Sequence, residues 1–236
     1  GVGMELHQRR LERSLQLARI DGFDAGELPT ICEALLDANG IDNGTVYLQV
    51  TRGAAPQRSH VPPAGLQPTV LALASSAPSL AELMGPDRVR IVLLPDERWL
   101  RCEIKTISLL GNVLAAMRAA ELGADEPVLH RDGILSEGGS TNVFLRRGER
   151  LITPGTEDGP PILHGVTRAM VIDAARSEGV EVDERRVRIE ELVDADEVMI
   201  TSSRRLLSIV AEIDGVPTRN AARLQTASAT GSLGDA

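Results

Sequence analysis

The strongest constraint on the fold of this chain is a repeated change of period after residue 90. Asn142-Val-Phe-Leu145 and Leu151-Ile-Thr-Pro154 are short apolar runs that read as strands, with a hairpin turn at Arg146–Glu149 between them. Pro127-Val-Leu-His130 is another such run, followed by the turn Arg131-Asp-Gly133. Residues 167–178 instead carry a helical pattern that Gly179 stops, and strands at 180–182 and 197–201 flank a short helix at 189–194. Such a mixture predicts an α+β fold.

The first part of the chain is smaller and also mixed. Leu6, Leu11, Leu15 and Leu17 mark a helix over 5–20, and a second over 27–39 is closed by Gly40. The β-branched run Gly44–Thr51 predicts a strand, and a Pro- and Ala-containing loop at 53–63 leads to another at 69–74. Ser, Pro and Gly across 76–89 read as a hinge, so we expect a small domain at 1–80, a linker at 81–89 and a larger domain at 90–236. The small residues of 226–236 read as a frayed tail.

Composition narrows the function. A net charge of −9 and scattered arginine pairs argue against nucleic acid, which needs clustered basic residues. Cys32 and Cys102 have neither metal-ligand spacing nor a disulfide framework, so we expect no metal and a reducing, cytoplasmic compartment. No apolar run reaches the length of a membrane span, and the first residues lack a signal-peptide core.

Lys105 is the only lysine, although the chain has 25 basic residues. An arginine codon bias explains why other lysines are missing, and most lysines are solvated surface charges. Only a lysine amine, however, can lose its proton and attack a carbonyl to form a Schiff base. Ile107, Leu110, Val113, Leu114 and Met117 fall on one stripe of a helix expected from 106 to 123. Lys105 then stands at that helix's entrance, where the dipole favours the neutral amine.

Four further stretches resemble the fold-type IV pyridoxal-phosphate-dependent aminotransferases, in particular those acting on D-amino acids. Glu137-Gly-Gly-Ser-Thr-Asn-Val-Phe144 is similar to the family's Glu-Gly-x-x-x-Asn-x-Phe motif. Ile162-Leu-His-Gly-Val-Thr-Arg168 opens a helix whose amino terminus suits a phosphate. Met199-Ile-Thr-Ser-Ser203 is similar to a phosphate-binding turn, although Arg204 and Arg205 depart from its small polar pattern. His7-Gln-Arg-Arg-Leu11 is similar to an early helical His-x-x-Arg-Leu.

The resemblance implies a two-domain fold, with a small α/β domain and a larger domain built on a pseudo-barrel of mixed strands. It implies pyridoxal 5'-phosphate held on Lys105, with Glu137 pairing the protonated pyridine nitrogen. Arg10, Val166, Thr167 and Ser203 would hold the phosphate, Leu163 would pack behind the ring, and Ser140 counts among the cofactor-binding residues. Arg58 and His60 in Arg58-Ser-His60 would trap a substrate carboxylate across a homodimer interface, and Tyr47 in Tyr47-Leu-Gln-Val-Thr-Arg-Gly53 counts among the substrate-binding residues.

The implied reaction passes an amino group from a D-alanine-like amino acid to a 2-oxo acid such as 2-oxoglutarate. A branched-chain L-amino-acid aminotransferase and an aminodeoxychorismate lyase share the lysine and Glu-Gly features. The resemblance runs from residue 5 to about 224, and the family's opening strands do not precede His7, so an omitted segment or a truncated homologue is expected. A non-catalytic dimeric scaffold is the reading of another class.

Overall fold

The computed structural model describes residues 1–83 and 87–221. The expected tail at 226–236 and part of the linker at 81–89 lie outside the described residues. The chain divides into two compact units, Gly1–Leu83 and Met84–Ala236.

The first unit holds two helices and a hairpin. Helix α1 spans Met4–Ala18 and α2 spans Leu28–Ala38, the latter with proline in its first turn, where no backbone donor is lost. Strands β1 (Gly44–Thr51) and β2 (Thr69–Ser76) pair antiparallel along their full length, from Gly44 opposite Ser76 to Thr51 opposite Thr69. The four-residue helix α3 (Leu80–Leu83) ends the unit.

The second unit is built on a curled mixed sheet. Its strands are β3 (Arg88–Pro95), β4 (Glu126–Arg131), β5 (Ile134–Gly138), β6 (Asn142–Arg147), β7 (Arg150–Pro154), β8 (Glu181–Arg185), β9 (Glu197–Ser202), β10 (Leu206–Ile213) and the short β11 (Val216–Pro217). Among the described residues they run in the order β5-β4-β3-β10-β9-β6-β7-β8, with β11 on β10. The β3–β4, β3–β10 and β7–β8 pairs are parallel and the rest antiparallel. Leu135 N–H donates to Val187 O at 2.8 Å and Ile189 N–H to Gly133 O at 3.0 Å, so the segment after β8 returns to the opposite edge strand. That return gives the edge strand β5 a partner on its outer side and curls the sheet toward a barrel.

Strand β6 shows why these runs are apolar throughout. Val143 and Leu145 point into a core with Val128, Leu135, Ile152 and Ile200, while Phe144 points to the other face against Leu151, Ile172 and Met199. Both faces are buried, so no polar alternation is left. Full burial of each such side chain contributes about 1.5–3 kcal/mol.

Helices α4 (Leu110–Glu121), α5 (Val166–Ser177) and the short α6 (Glu190–Asp194) complete the unit. One expectation needs correction. The helix after Lys105 begins at Leu110, not at 106, because Thr106 Oγ1 accepts a bond from Ser108 N–H at 3.2 Å and closes a local turn instead. Its apolar stripe is not buried: Ile107, Leu110, Val113, Leu114 and Met117 are all about half exposed or more. Ala119, on another side of the helix, is the residue that packs.

Strand β5 was not anticipated. Ile134-Leu-Ser-Glu-Gly138 lacks the apolar run of a strand, yet Leu135 through Gly138 are buried. The turn Asp132-Gly133 creates it. Both residues take positive φ, 50° and 75°, and Arg131 pairs with Ile134, a two-residue hairpin that glycine at its second position favours.

Candidate active site

Glu137 at the end of β5 and Asn142 at the start of β6 face each other across the turn 138–141. Glu126 on β4 pins that turn: its carboxylate accepts from Ser140 N–H at 2.8 Å, Ser140 Oγ at 3.2 Å and Thr141 Oγ1 at 3.0 Å. Asn112 on α4 donates to Gly139 O at 2.7 Å. The hydroxyl of Ser140 is therefore engaged in holding the turn.

Glu137 as a whole residue is only 4% exposed. Arg98 Nη1 donates to its Oε1 at 2.7 Å, and Asn142 Nδ2 and Leu163 N–H each donate to Oε2 at 3.0 Å. Burial pushes the carboxyl up to about 7, and Arg98 and the Leu163 amide offset part of that rise. Asp96, by contrast, stays below the usual carboxylate range: burial acts upward, but Arg98 and Arg131 outweigh it.

Leu163 lies in the loop before α5. Asn142 Nδ2 also donates to Leu163 O at 3.1 Å, and Gly165 caps α5 without a side-chain bond. A Cβ on Gly165 would stand 1.9 Å from Asn142 Oδ1, so only glycine lets the helix approach this closely. Val166 and Thr167, both buried, begin α5. Asn142 also pairs in the sheet with Thr201, whose buried hydroxyl has no hydrogen-bond partner.

A cavity of about 320 Å³ opens on this cluster, and Lys105, Arg98, Trp99, Glu137, Asn142 and Leu163 are among its walls. Lys105 lies in the loop five residues before α4, which removes the expected influence of that helix's dipole on the amine. Cys102 lines the cavity too, with its thiol pushed up to about 11 by burial.

Lys105, Glu137, Ser140 and Leu163 thus share one cavity, while Val166 and Thr167 follow Gly165, which stands against Asn142 of its wall. Ser203 is exposed in the turn between β9 and β10. Arg10, Tyr47, Arg58 and His60 belong to the first unit. Arg10 donates to His7 Nδ1 at 3.2 Å, Tyr47 donates to Gln49 at 2.7 Å, and Arg58 and His60 lie exposed in the loop after β1. Sequence reasoning missed Arg98, Asn142 and Thr201. Asn142 stood inside the quoted motif, whereas Arg98 carried no signal among so many arginines.

The curled mixed sheet that carries this cavity is shared with fold-type IV aminotransferases of known structure. Residues 2–213 match the family described as amino-transferase class IV, and the chain belongs to it. It is 38% identical over 214 residues to a D-alanine aminotransferase of Bacillus licheniformis, a match covering 90% of this chain and 74% of that one. A D-alanine aminotransferase of Staphylococcus haemolyticus is 33% identical, with 89% and 73% covered. Among solved structures, the branched-chain aminotransferase of Thermoproteus uzoniensis with norvaline superposes at a TM-score of 0.80 with 28% identity, covering 95% of this chain and 76% of that one. The branched-chain amino acid aminotransferase of Thermobaculum terrenum in its PLP-form does so at 0.81 with 26% identity, covering 92% and 71%.

Membership implies pyridoxal phosphate, and the residues present fit it. The unpartnered Thr201 hydroxyl and the uncapped amino terminus of α5 flank Asn142, which suits an anion. The buried carboxylate of Glu137 suits a cationic ring nitrogen. Among the described residues, no helix is long and apolar enough to cross a membrane.

Proposed function

We propose that this aminotransferase moves an amino group between a D-alanine-like amino acid and a 2-oxo acid such as 2-oxoglutarate, with pyridoxal 5'-phosphate as cofactor. The observation that carries the reading is one cavity shared by the sole lysine and a buried glutamate, in a chain similar to two D-alanine aminotransferases. When bound, the cofactor supplies an aldehyde that takes up the amino group and a ring that withdraws electrons from the adjacent carbon.

Lys105 Nζ would hold the cofactor covalently until the substrate's amino group displaces it, and the freed amine would then take the proton from the substrate Cα as general base and return it as general acid. Glu137 would keep the ring nitrogen protonated, and Leu163 would pack behind the ring. The Val166 amide, Thr167, Ser203 and Arg10 bind the phosphate, and Ser140 keeps the turn beside the ring in place. Arg58 and His60 take the substrate carboxylate, and Tyr47 is a further substrate-binding residue.

The working unit is a homodimer, supported by the exposed apolar stripe Leu110, Val113, Leu114 and Met117 on α4, a face of the kind that partners cover. Both cysteines are free, which fits a reducing, cytoplasmic setting. Borohydride reduction of the loaded chain should fix the cofactor to a single peptide containing Lys105. Equal labelling of a Lys105→Ala chain would sink the assignment. The branched-chain structural neighbours support a second reading, and turnover of L-leucine without D-alanine would select it.

A further inference from the structure

Among the described residues, Glu137 meets three hydrogen-bond donors and no acceptor: the Arg98 guanidinium, the Asn142 amide and the Leu163 N–H. A proton on Glu137 would displace one of these donors. Arg98 is itself clamped. Its Nε donates to Asp96 Oδ1 at 2.9 Å and its Nη2 to Asp96 Oδ2 at 3.0 Å, so one edge of the guanidinium grips Asp96 while Nη1 reaches Glu137. Asp96 also accepts from Arg98 N–H at 3.1 Å and from Ser136 Oγ at 3.0 Å.

Arg131 braces the assembly. Its Nε stands 3.3 Å from Asp96 Oδ2 as an ion pair without hydrogen-bond geometry, and its Nη2 donates to Arg98 O at 2.9 Å and Trp99 O at 3.1 Å. The side chains of Asp96, Arg98 and Glu137 are 0%, 6% and 6% exposed. Two guanidiniums then balance two carboxylates, and the tetrad is neutral only while Glu137 is ionised. The other titratable groups around it are Lys105, Glu126 and Cys102 on the cavity wall.

We infer that Arg98 is a positioning residue: fixed on Asp96 and braced by Arg131, it holds Glu137 as a carboxylate, so that a proton shared with the cofactor's ring nitrogen resides on the ring. The inference rests on the cofactor reading above. Only arginine has the planar fork to serve both carboxylates at once.

The test uses the full chain, first without cofactor, with glutamate carboxyls labelled by ¹³C. The signal missing from a Glu137→Gln chain reports Glu137, and it should titrate at about 7. In Arg98→Gln its midpoint should rise by ~1–3 pH units, the usual effect of removing an adjacent cation. Arg98→Lys keeps a charge but cannot grip both carboxylates, so its midpoint should rise by less. An unmoved midpoint in either folded variant overturns the inference.

A third readout needs no change at Arg98. In the native sequence an arginine ¹⁵N signal should shift as Glu137 titrates and stay still in Glu137→Gln, and the absence of any such signal also overturns the link. In the loaded chain, Arg98→Gln should move the acid limb of the transamination pH profile upward by the same interval, which a merely structural role would not do. If the native chain shows no visible cofactor band, the cofactor reading fails, while the carboxyl titration still decides the Arg98–Glu137 link.

Discussion

Two glutamates of the second unit are each bonded to arginine, and they titrate in opposite directions. Glu137 is buried and pushed up to about 7, whereas Glu184 on β8 lies below the usual carboxylate range. Burial is the largest influence on both and acts upward on both. At Glu184 it is outweighed, because Arg168 Nη2 and Arg176 Nη2 take one oxygen each, at 2.8 and 3.0 Å, and the side chain stays 31% exposed. At Glu137 the single arginine is shared with Asp96, and the side chain is 6% exposed. An ion pair therefore does not by itself reveal a carboxylate's state. How many cations it owns, and how much water it keeps, decide which effect wins.

The largest expected effect separates the two by activity. Glu137→Gln removes the charge facing the ring, and the transamination rate should fall by ~10²–10³-fold, the usual cost of losing one preorganised electrostatic partner. Glu184→Gln should leave the rate within about twofold, because nothing places it at the cavity. Steady-state assays on the loaded chains compare them directly, and similar losses for both would mean that Glu137 has no special role.

The second effect appears in stability against pH. Glu137 has its folded value raised from 4.5 to about 7, so its contribution is complete below the unfolded value and lost as pH rises through that interval. At 1.36 kcal/mol per unit the loss is about 3 kcal/mol. Denaturant unfolding of the cofactor-free chain should show the native sequence losing that much, relative to Glu137→Gln, between about pH 4.5 and pH 7. Glu184 is lowered, so its contribution has the opposite sign: present above the usual carboxylate range and lost as pH falls. A native chain whose stability relative to Glu137→Gln is flat over that window would contradict the burial argument.

The same contrast explains what could be read in the sequence. Lys105, which lines the cavity, could be singled out beforehand because imine chemistry admits one residue type and the chain has one example. Glu137 was legible from its Gly-Gly-Ser-Thr-Asn continuation, and α5 from its period and the stop at Gly179. Arg98 was not, because its role depends on Asp96 two residues before it and on Glu137 on another strand, and nothing local marks it. Strand β5 escaped because Ser136 and Glu137 are buried through hydrogen bonds, not through apolarity. The start of α4 was misplaced by the Thr106 turn. Its apolar stripe was legible but its exposure was not, because periodicity shows that a face is apolar, not what covers it.

The smallest effect tests the outer pair by itself. Arg168 on α5 is buried, with its Nη2 on both Pro154 O and Glu184 at 2.8 Å. Glu184→Gln keeps an oxygen able to accept from either arginine but removes the charge, so the buried guanidinium loses its counter-ion while retaining the carbonyl. Breaking a fully buried pair costs about 3–5 kcal/mol. Glu184 reaches solvent, which screens the charge, and we expect about 1–2 kcal/mol in denaturant unfolding at pH 7. The loss should shrink as pH falls and the native Glu184 protonates, because the two chains then carry the same charge there. A loss independent of pH would assign Glu184 a packing role and remove it from the comparison with Glu137.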